Sequence, residues 1–211
     1  NSDKFIKNYD LVGLEKIVVN FGFEKYRANQ IMSGIYVDRV DRFDEFSTLP
    51  IKLREKLTEN YIIHSIEPVK IRKSSDGSIK YLFRLFDGKH IEAVYMPWYD
   101  ESDEEIERVT LCISSMAGCP VECSFCATGT LGFQRNLETA EILDQILYVE
   151  KDLNTKITNI VFMGMGEPLL NYNNVIKSID LLTIPANKLL SRKKITLSTV
   201  GITAKIKHLA S

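Results

Sequence analysis

At 211 residues, with 45% hydrophobic and 26% charged residues, the chain fits one large soluble domain or one domain with a small appendage. That composition provides enough apolar surface for a core without disulfide staples. A formal net charge of −1 excludes a uniformly basic nucleic-acid binder, and the lack of any run of about 18 apolar residues or a signal-like start gives no sign of membrane or export.

Residues 9 to 60 read as short helices. Leu14, Ile17, Val18 and Phe21, then Ile31, Ile35 and Tyr36, fall at helical spacing, and Phe21-Gly22-Phe23 breaks the first helix with Gly22 as a C-terminal cap. Pro50 opens a further helix, "IKLREKLTENY". The rhythm then changes to strands, "HSIEPVKIRK", "IKYLFRLF" and "KHIEAVYMPW", joined by turns at "SSDGS" and "FDGK", which predicts a small antiparallel sheet. Six basic residues against two acidic ones between Lys70 and Lys89 make this segment locally positive; the ordinary account is a solvated strand face. "DESDEEIE" follows, six acids in eight residues, and reads as a solvated loop dividing two regions.

From Arg108 onward strands and amphipathic helices alternate: "VTLCIS", the cysteine loop, "LETAEILDQILYVEKDL", "KITNIVFMGMGEP", "NNVIKSIDLL", "KKITLSTVG", "ITAKIKHLA". That order predicts parallel βα units. Three parallel strands are too few for a barrel, so the fold reads as cut short.

All four cysteines, Cys112, Cys119, Cys123 and Cys126, lie within fifteen positions. In the reducing cytoplasm expected here, such a cluster binds metal or does chemistry more often than it forms disulfides. Cys119, Cys123 and Cys126, spaced C-x3-C-x2-C, can converge on one inorganic centre. Structural zinc with Cys112 as fourth ligand is the competing account, but such sites usually need two separated hooks and this chain has one. Three ligands on a four-iron cluster leave one iron open to a small molecule.

The C-x3-C-x2-C spacing after the first strand of a βα series resembles the radical S-adenosylmethionine (SAM) superfamily. "CISSMAGCPVECSFCATGTLGFQRNL", "NIVFMGMGEPLLNYNNV" and "KKITLSTVGI" resemble the RlmN/Cfr family of RNA adenosine methyltransferases, with "GMGEPLLN" on the RlmN side. The resemblance implies an α/β chain: a helical RNA-contacting accessory domain over 1–60, a small β-sheet region over 61–107, and the first half of a radical SAM partial (β/α) barrel over 108–211. Met116 departs from the family pattern, which mostly has glutamine there.

By that resemblance Cys119, Cys123 and Cys126 hold a [4Fe-4S] cluster, and Gly166, Glu167 and Ser198 hold SAM. Read alone, Gly164, Gly166 and Glu167 lie where a strand ends, the ligand face of parallel βα folds, although a plain Gly-Pro turn explains them too. Ser198 alone would be a capping serine, and Cys112 a buried structural cysteine. In the family the cysteine matching Cys112 resolves a covalent enzyme–RNA adduct by forming a disulfide with a methyl-carrying cysteine near the C-terminus. No cysteine follows Cys126, so this chain alone is expected to be inactive. The family's E-x-V-Y-x-P glutamate, here Glu92, takes the proton from the adenine adduct; a strand glutamate facing water is the plainer account. The resemblance further implies 23S ribosomal RNA and transfer RNA as substrates, an electron donor such as flavodoxin, a monomer, and the 70–89 segment as a phosphate-binding surface. A Cfr-type C8 methyltransferase and a non-enzymatic zinc-binding RNA module are the alternatives.

Overall fold

A computed structural model describes residues 4–100, 106–184 and 189–210. The expected acidic divider falls largely on 101–105, outside the described residues. The first helices are α1 (Leu11–Asn20), α2 (Arg27–Tyr36) and α3 (Ile51–Asn60). Asp10 caps α1 by accepting the Gly13 N–H at 2.8 Å. Its other end closes as sequence spacing predicts: Phe23 N–H donates to Val18 O and Gly22 N–H to Val19 O, both at 2.9 Å. Leu14, Ile17 and Val18 of α1, Ile31 and Ile35 of α2 and Leu53 of α3 are buried, so the helical periodicity marks the true core face.

The strands are β1 (Ile66–Lys73), β2 (Ile79–Leu85), β3 (His90–Tyr99), β4 (Ile106–Cys112), β5 (Met116–Gly118), β6 (Phe133–Asn136), β7 (Asn159–Phe162) and β8 (Ile195–Leu197). Helices α4 (Thr139–Asp152), α5 (Tyr172–Thr183) and α6 (Thr203–Ala210) alternate with the later ones. Six strands form one open sheet in the order β1-β2-β3-β4-β7-β8, while β5 and β6 make a separate hairpin. The contacts from β1 to β4 are antiparallel, and β4–β7 and β7–β8 are parallel. The antiparallel region and the βα units therefore share one continuous sheet, an unclosed surface of partial-barrel type.

The two faces of that sheet differ. Tyr81, Phe83, Ile91, Ala93, Leu111 and Ile160 are buried, and the Tyr148 ring of α4 meets the Phe83 ring edge-on at 5.3 Å. On the opposite face the cross-strand partners Arg72, Lys80, Val94, Cys112, Val161 and Thr196 form one row, and none of them is buried. Polar side chains fix the N-terminal helices to α4. Lys7 pairs with Asp144, both buried, and the Ser65 N–H and hydroxyl each donate to Asp144 Oδ2 at 2.6 Å. Arg39 pairs with Glu150. Asn8 caps α4 by accepting the Ala140 N–H at 2.8 Å. Among the described residues no helix is long and apolar enough to cross a membrane.

Candidate active site

The site lies where β4 and β7 end, because the loops after those two strands are joined by hydrogen bonds. Ile113 N–H reaches Val161 O at 3.0 Å, Gly164 N–H reaches Ile113 O at 3.1 Å, and Ser115 and Met116 N–H both donate to Met165 O, at 2.8 and 3.1 Å. Ser114 is the pivot: its hydroxyl donates to Glu92 O at 2.6 Å and accepts the Met165 N–H at 2.9 Å. The Gln145 amide of α4 holds the Ser114 backbone from both sides, at 2.8 and 3.0 Å. Gly166 has φ +101°, and a Cβ there would fall 2.5 Å from Met116 Cβ. The residue that departs from the family pattern is thus packed directly against the glycine expected at SAM.

Cys119, Cys123 and Cys126 lie in the connection between β5 and β6, the tip of that hairpin. Gly118, with φ +71°, lets the strands approach so closely that a Cβ would lie 1.8 Å from the Gly132 carbonyl oxygen, and Cys119 N–H bonds that same oxygen at 3.1 Å. Cys126 N–H donates to Cys123 O at 3.0 Å, closing the tip. All four thiols are free. The backbone N–H groups of Gly129 and Thr128 pull the Cys126 thiol below its ordinary pKa, the environment a thiolate ligand needs. Three free thiols on one short loop, one of them biased toward thiolate, fit an iron–sulfur centre by donor chemistry. Among the described residues no three Cys, His, Asp or Glu side chains are gathered as an ion-holding group, so the fit rests on that chemistry.

Arg135 of β6 anchors the hairpin's far strand. Its guanidinium grips Glu141 of α4 through two bonds of 2.7 Å and Asp87 of the β2–β3 turn at 2.7 and 3.2 Å. The pair with Arg135 holds the Asp87 carboxyl well below the usual carboxylate range, whereas burial pushes Glu141 up.

Glu92 and Cys112, twenty residues apart in sequence, come together on the open face. Val94 is the cross-strand partner of Cys112, and Glu92 lies two residues from Val94, so the two are diagonal neighbours at about 7–8 Å between Cα atoms. Burial raises the Cys112 thiol, partly offset by the Met163 N–H. Glu92 has the setting of a strand glutamate facing water: its flanking Ile91 and Ala93 are buried on the other face, and its own side chain is 43% exposed and pairs with Lys80 at 3.0 Å. Glu167 is buried, and its carboxylate accepts Leu169 N–H at 2.9 Å and both Thr199 Oγ1–H and Val200 N–H at 2.8 Å. That occupies three of roughly four acceptor positions, leaving one for a ligand ammonium. Ser198 is exposed just beyond β8, beside the two residues that grip Glu167. Sequence reasoning passed over Thr199, Ser114 and Gln145, and took Lys80 only as one of the basic residues of the 70–89 segment, although strand alternation puts it on the Glu92 face. A cavity of about 550 Å³ lined by Lys7, Arg39, His64 and Asp144 lies beside α4, apart from the cysteine loop.

A parallel strand pair ending in a three-thiol loop and a glycine-rich loop defines a radical SAM core. The family model described as "Radical SAM superfamily" matches residues 113–211, and that described as "Ribosomal RNA large subunit methyltransferase N-terminal domain" matches 6–63. A probable dual-specificity RNA methyltransferase RlmN from Aquifex aeolicus is 43% identical over 98% of this chain and 58% of its own length. A dual-specificity RNA methyltransferase RlmN from Syntrophobacter fumaroxidans is 40% identical over 97% of this chain and 58% of its own length. The crystal structure of a radical SAM methyltransferase from Sphaerobacter thermophilus superposes with a TM-score of 0.88 at 35% identity, covering 98% of this chain and 60% of that one. The chain belongs to the RlmN family of radical SAM RNA methyltransferases. It spans a little over half the length of those curated relatives.

Proposed function

We propose that this chain carries the cluster-binding half of an enzyme that methylates C2 of an adenosine in 23S ribosomal RNA and transfer RNA through a methyl-cysteine intermediate. The observation that carries it is the placement of Glu92 and Cys112 as diagonal neighbours on one open sheet face, at the strand end from which the cysteine hairpin departs. An acid–base group and a thiol on one accessible surface suit a reaction that must remove a proton from a base and then release that base from sulfur.

Cys119, Cys123 and Cys126 would hold the [4Fe-4S] cluster, and Gly166, Glu167 and Ser198 would hold SAM. Together, when bound, these cofactors supply a 5′-deoxyadenosyl radical. Glu167 orients the SAM ammonium with its remaining acceptor position, and Gly166 leaves room for close backbone approach. Glu92, which pairs with Lys80 at 3.0 Å, would accept the proton from the adenine carbon that has gained the new bond, and the one electron left on that radical adduct would go to a one-electron acceptor such as the oxidised cluster. Cys112 attacks the sulfur that bridges enzyme and RNA. A disulfide forms, the S–C bond breaks, and its electron pair passes to the former methyl carbon, which then takes a proton. The bridging sulfur belongs to a second cysteine that this chain does not contain. RNA approaches along the row running from Arg72 and Lys80 towards Cys112, where cationic side chains meet phosphate. The target adenine must leave its stack to reach that face.

The test is anaerobic reconstitution of the chain with iron and sulfide, read by absorption and electron paramagnetic resonance with and without SAM. A four-iron signal perturbed by SAM is expected; zinc bound to all four cysteines and indifference to SAM would overturn the proposal. In a protein extended to the length of its relatives, mass spectrometry should find C2-methyladenosine, and C8-methyladenosine would refute the C2 assignment.

A further inference from the structure

We infer that Asn171 is a positioning residue that holds the two feet of the cysteine hairpin together and fixes them to the glycine-rich loop. This inference rests on the cluster-binding role proposed above.

Asn171 is 3% exposed and ends the short turn Pro168–Asn171 that Glu167 caps. Its Nδ2 donates to Ser115 O at 2.8 Å and to Leu137 O at 2.7 Å. Those carbonyls belong to the residue just before β5 and the residue just after β6, the entry and exit of the hairpin that carries Cys119, Cys123 and Cys126. A direct bond, Leu137 N–H to Ser115 O at 3.1 Å, closes the same gap. Two buried carbonyls facing one point need a group with two diverging N–H donors, which a primary amide supplies and a carboxylate of the same shape does not. The amide's orientation is itself fixed, because Asn174 Nδ2 donates to Asn171 Oδ1 at 2.9 Å.

The second connection leads to the other half of the site. Ser115 offers its carbonyl to Asn171 and its N–H to Met165 O at 2.8 Å, inside the loop that contains Gly166 and Glu167. Displacing the amide therefore loosens the hairpin feet, one of which, Ser115, is the residue that also bonds the SAM loop, so the relative position of the two loops is held less firmly. Groups bonded directly to metal ligands commonly change metal retention 10- to 100-fold; Asn171 acts one step further out, through the hairpin feet, so the low end of that range, roughly tenfold, is expected.

The experiment loads the chain anaerobically with iron and sulfide as wild type, Asn171→Ala, Asn171→Asp and Asn174→Ala. Leu53→Ala, a cavity variant in the N-terminal helices, serves as the stability-matched control. Iron release to a chelator is timed at a temperature where circular dichroism shows every variant folded. Both Asn171 variants should release iron roughly tenfold faster than wild type, Asn174→Ala should fall between, and Leu53→Ala should match wild type. Wild-type release rates in the Asn171 variants, or equal acceleration in Leu53→Ala, would overturn the inference while leaving the proposed function intact. If the Asn171 variants do not fold, Asn174→Ala, which keeps the amide and removes its support together with a 3.3 Å bond from the Thr139 hydroxyl, decides by the same comparison. A wild-type chain that takes up no cluster would overturn the functional proposal and this inference together.

Discussion

Replacing Arg135 with methionine should destabilise the chain severely, and more so as the pH rises. Arg135 is 21% exposed, while the Glu141 side chain it pairs with is 0% exposed. Methionine keeps apolar bulk but no donor. Glu141 would lose both 2.7 Å bonds and keep only the Glu138 N–H at 2.9 Å. Removing one partner of a buried pair leaves an uncompensated charge, at a cost of about 3–5 kcal/mol. Against a total stability of roughly 5–15 kcal/mol, that loss is large.

The pH dependence follows from the direction of the Glu141 shift. Burial already raises its pKa with Arg135 present, and losing the cation raises it further. A carboxyl whose folded pKa lies above its unfolded value of about 4.3 destabilises the fold progressively as pH climbs from that value through the folded pKa. Asp87 adds a loss of the usual sign: its lowered folded pKa contributes stability present above the unfolded value and lost in acid, and most of that contribution depends on Arg135. Urea unfolding followed by far-ultraviolet circular dichroism at pH 5, 6.5 and 8 follows the Glu141 dependence, while the Asp87 loss is constant over that range because its titration lies below it. Arg135→Met should lose least at pH 5, and adding Glu141→Gln should flatten the dependence. A loss below about 1 kcal/mol, or one that does not grow with pH, would refute the reasoning.

Three other outcomes are expected. In the metal-free chain iodoacetamide should label Cys126 first and Cys112 last, because backbone N–H groups lower one thiol and burial raises the other; peptide mapping at pH 7 that found Cys112 first would contradict this. Gly166→Ala should cost roughly 2–4 kcal/mol in urea unfolding, from strained backbone and overpacking. Met116→Ala should not relieve it, since Met116 Cβ is itself the contact at 2.5 Å, and a stable Gly166→Ala chain would show that the loop yields. Glu92→Gln should leave stability within about 1 kcal/mol, as its pair with Lys80 is half-exposed. The same change in the extended protein should abolish methylated product while cluster content stays normal, and methylation at the parent rate would remove Glu92 from the mechanism.

Local patterns were legible because they depend on neighbours in sequence. The spacing of Leu14, Ile17 and Val18 marks a buried helix face, and Phe21-Gly22-Phe23 places the end of α1. The polar joints were not legible, because their partners are distant: Lys7 and Asp144 lie 137 residues apart, Arg135 and Asp87 48 apart. Composition shows that these charges exist, and only the folded chain says which meet. Glu92 shows a subtler limit. Its neighbours in sequence are apolar, but in a strand those neighbours point to the opposite face, so a hydrophobic run says nothing of what surrounds the glutamate. The acidic run suggested a divide, yet β3 and β4 on either side of it pair directly.

That alternation also explains why the site is difficult to disturb by drift of the sheet. Glu92 and Cys112 share the open face only while Val94 stays opposite Cys112. A slip of one residue in β3 would carry Glu92 under α4, among Tyr81, Phe83 and Leu111, and bring Ile91, Ala93 and Tyr95 out to water. Exposing those three side chains and burying an unpaired carboxylate are both unfavourable, so the apolar face of the sheet enforces the position of the polar one. The same register sets Lys80 two strands from Cys112, about 10 Å away, with Arg72 one strand beyond. Positive charge, carboxylate and thiol therefore follow each other across the sheet in an order fixed by the core beneath them. A substitution that weakens that core, such as Phe83→Ala, should speed iodoacetamide labelling of Cys112 at urea concentrations below the unfolding transition, and an unchanged labelling rate there would refute this link between the two faces.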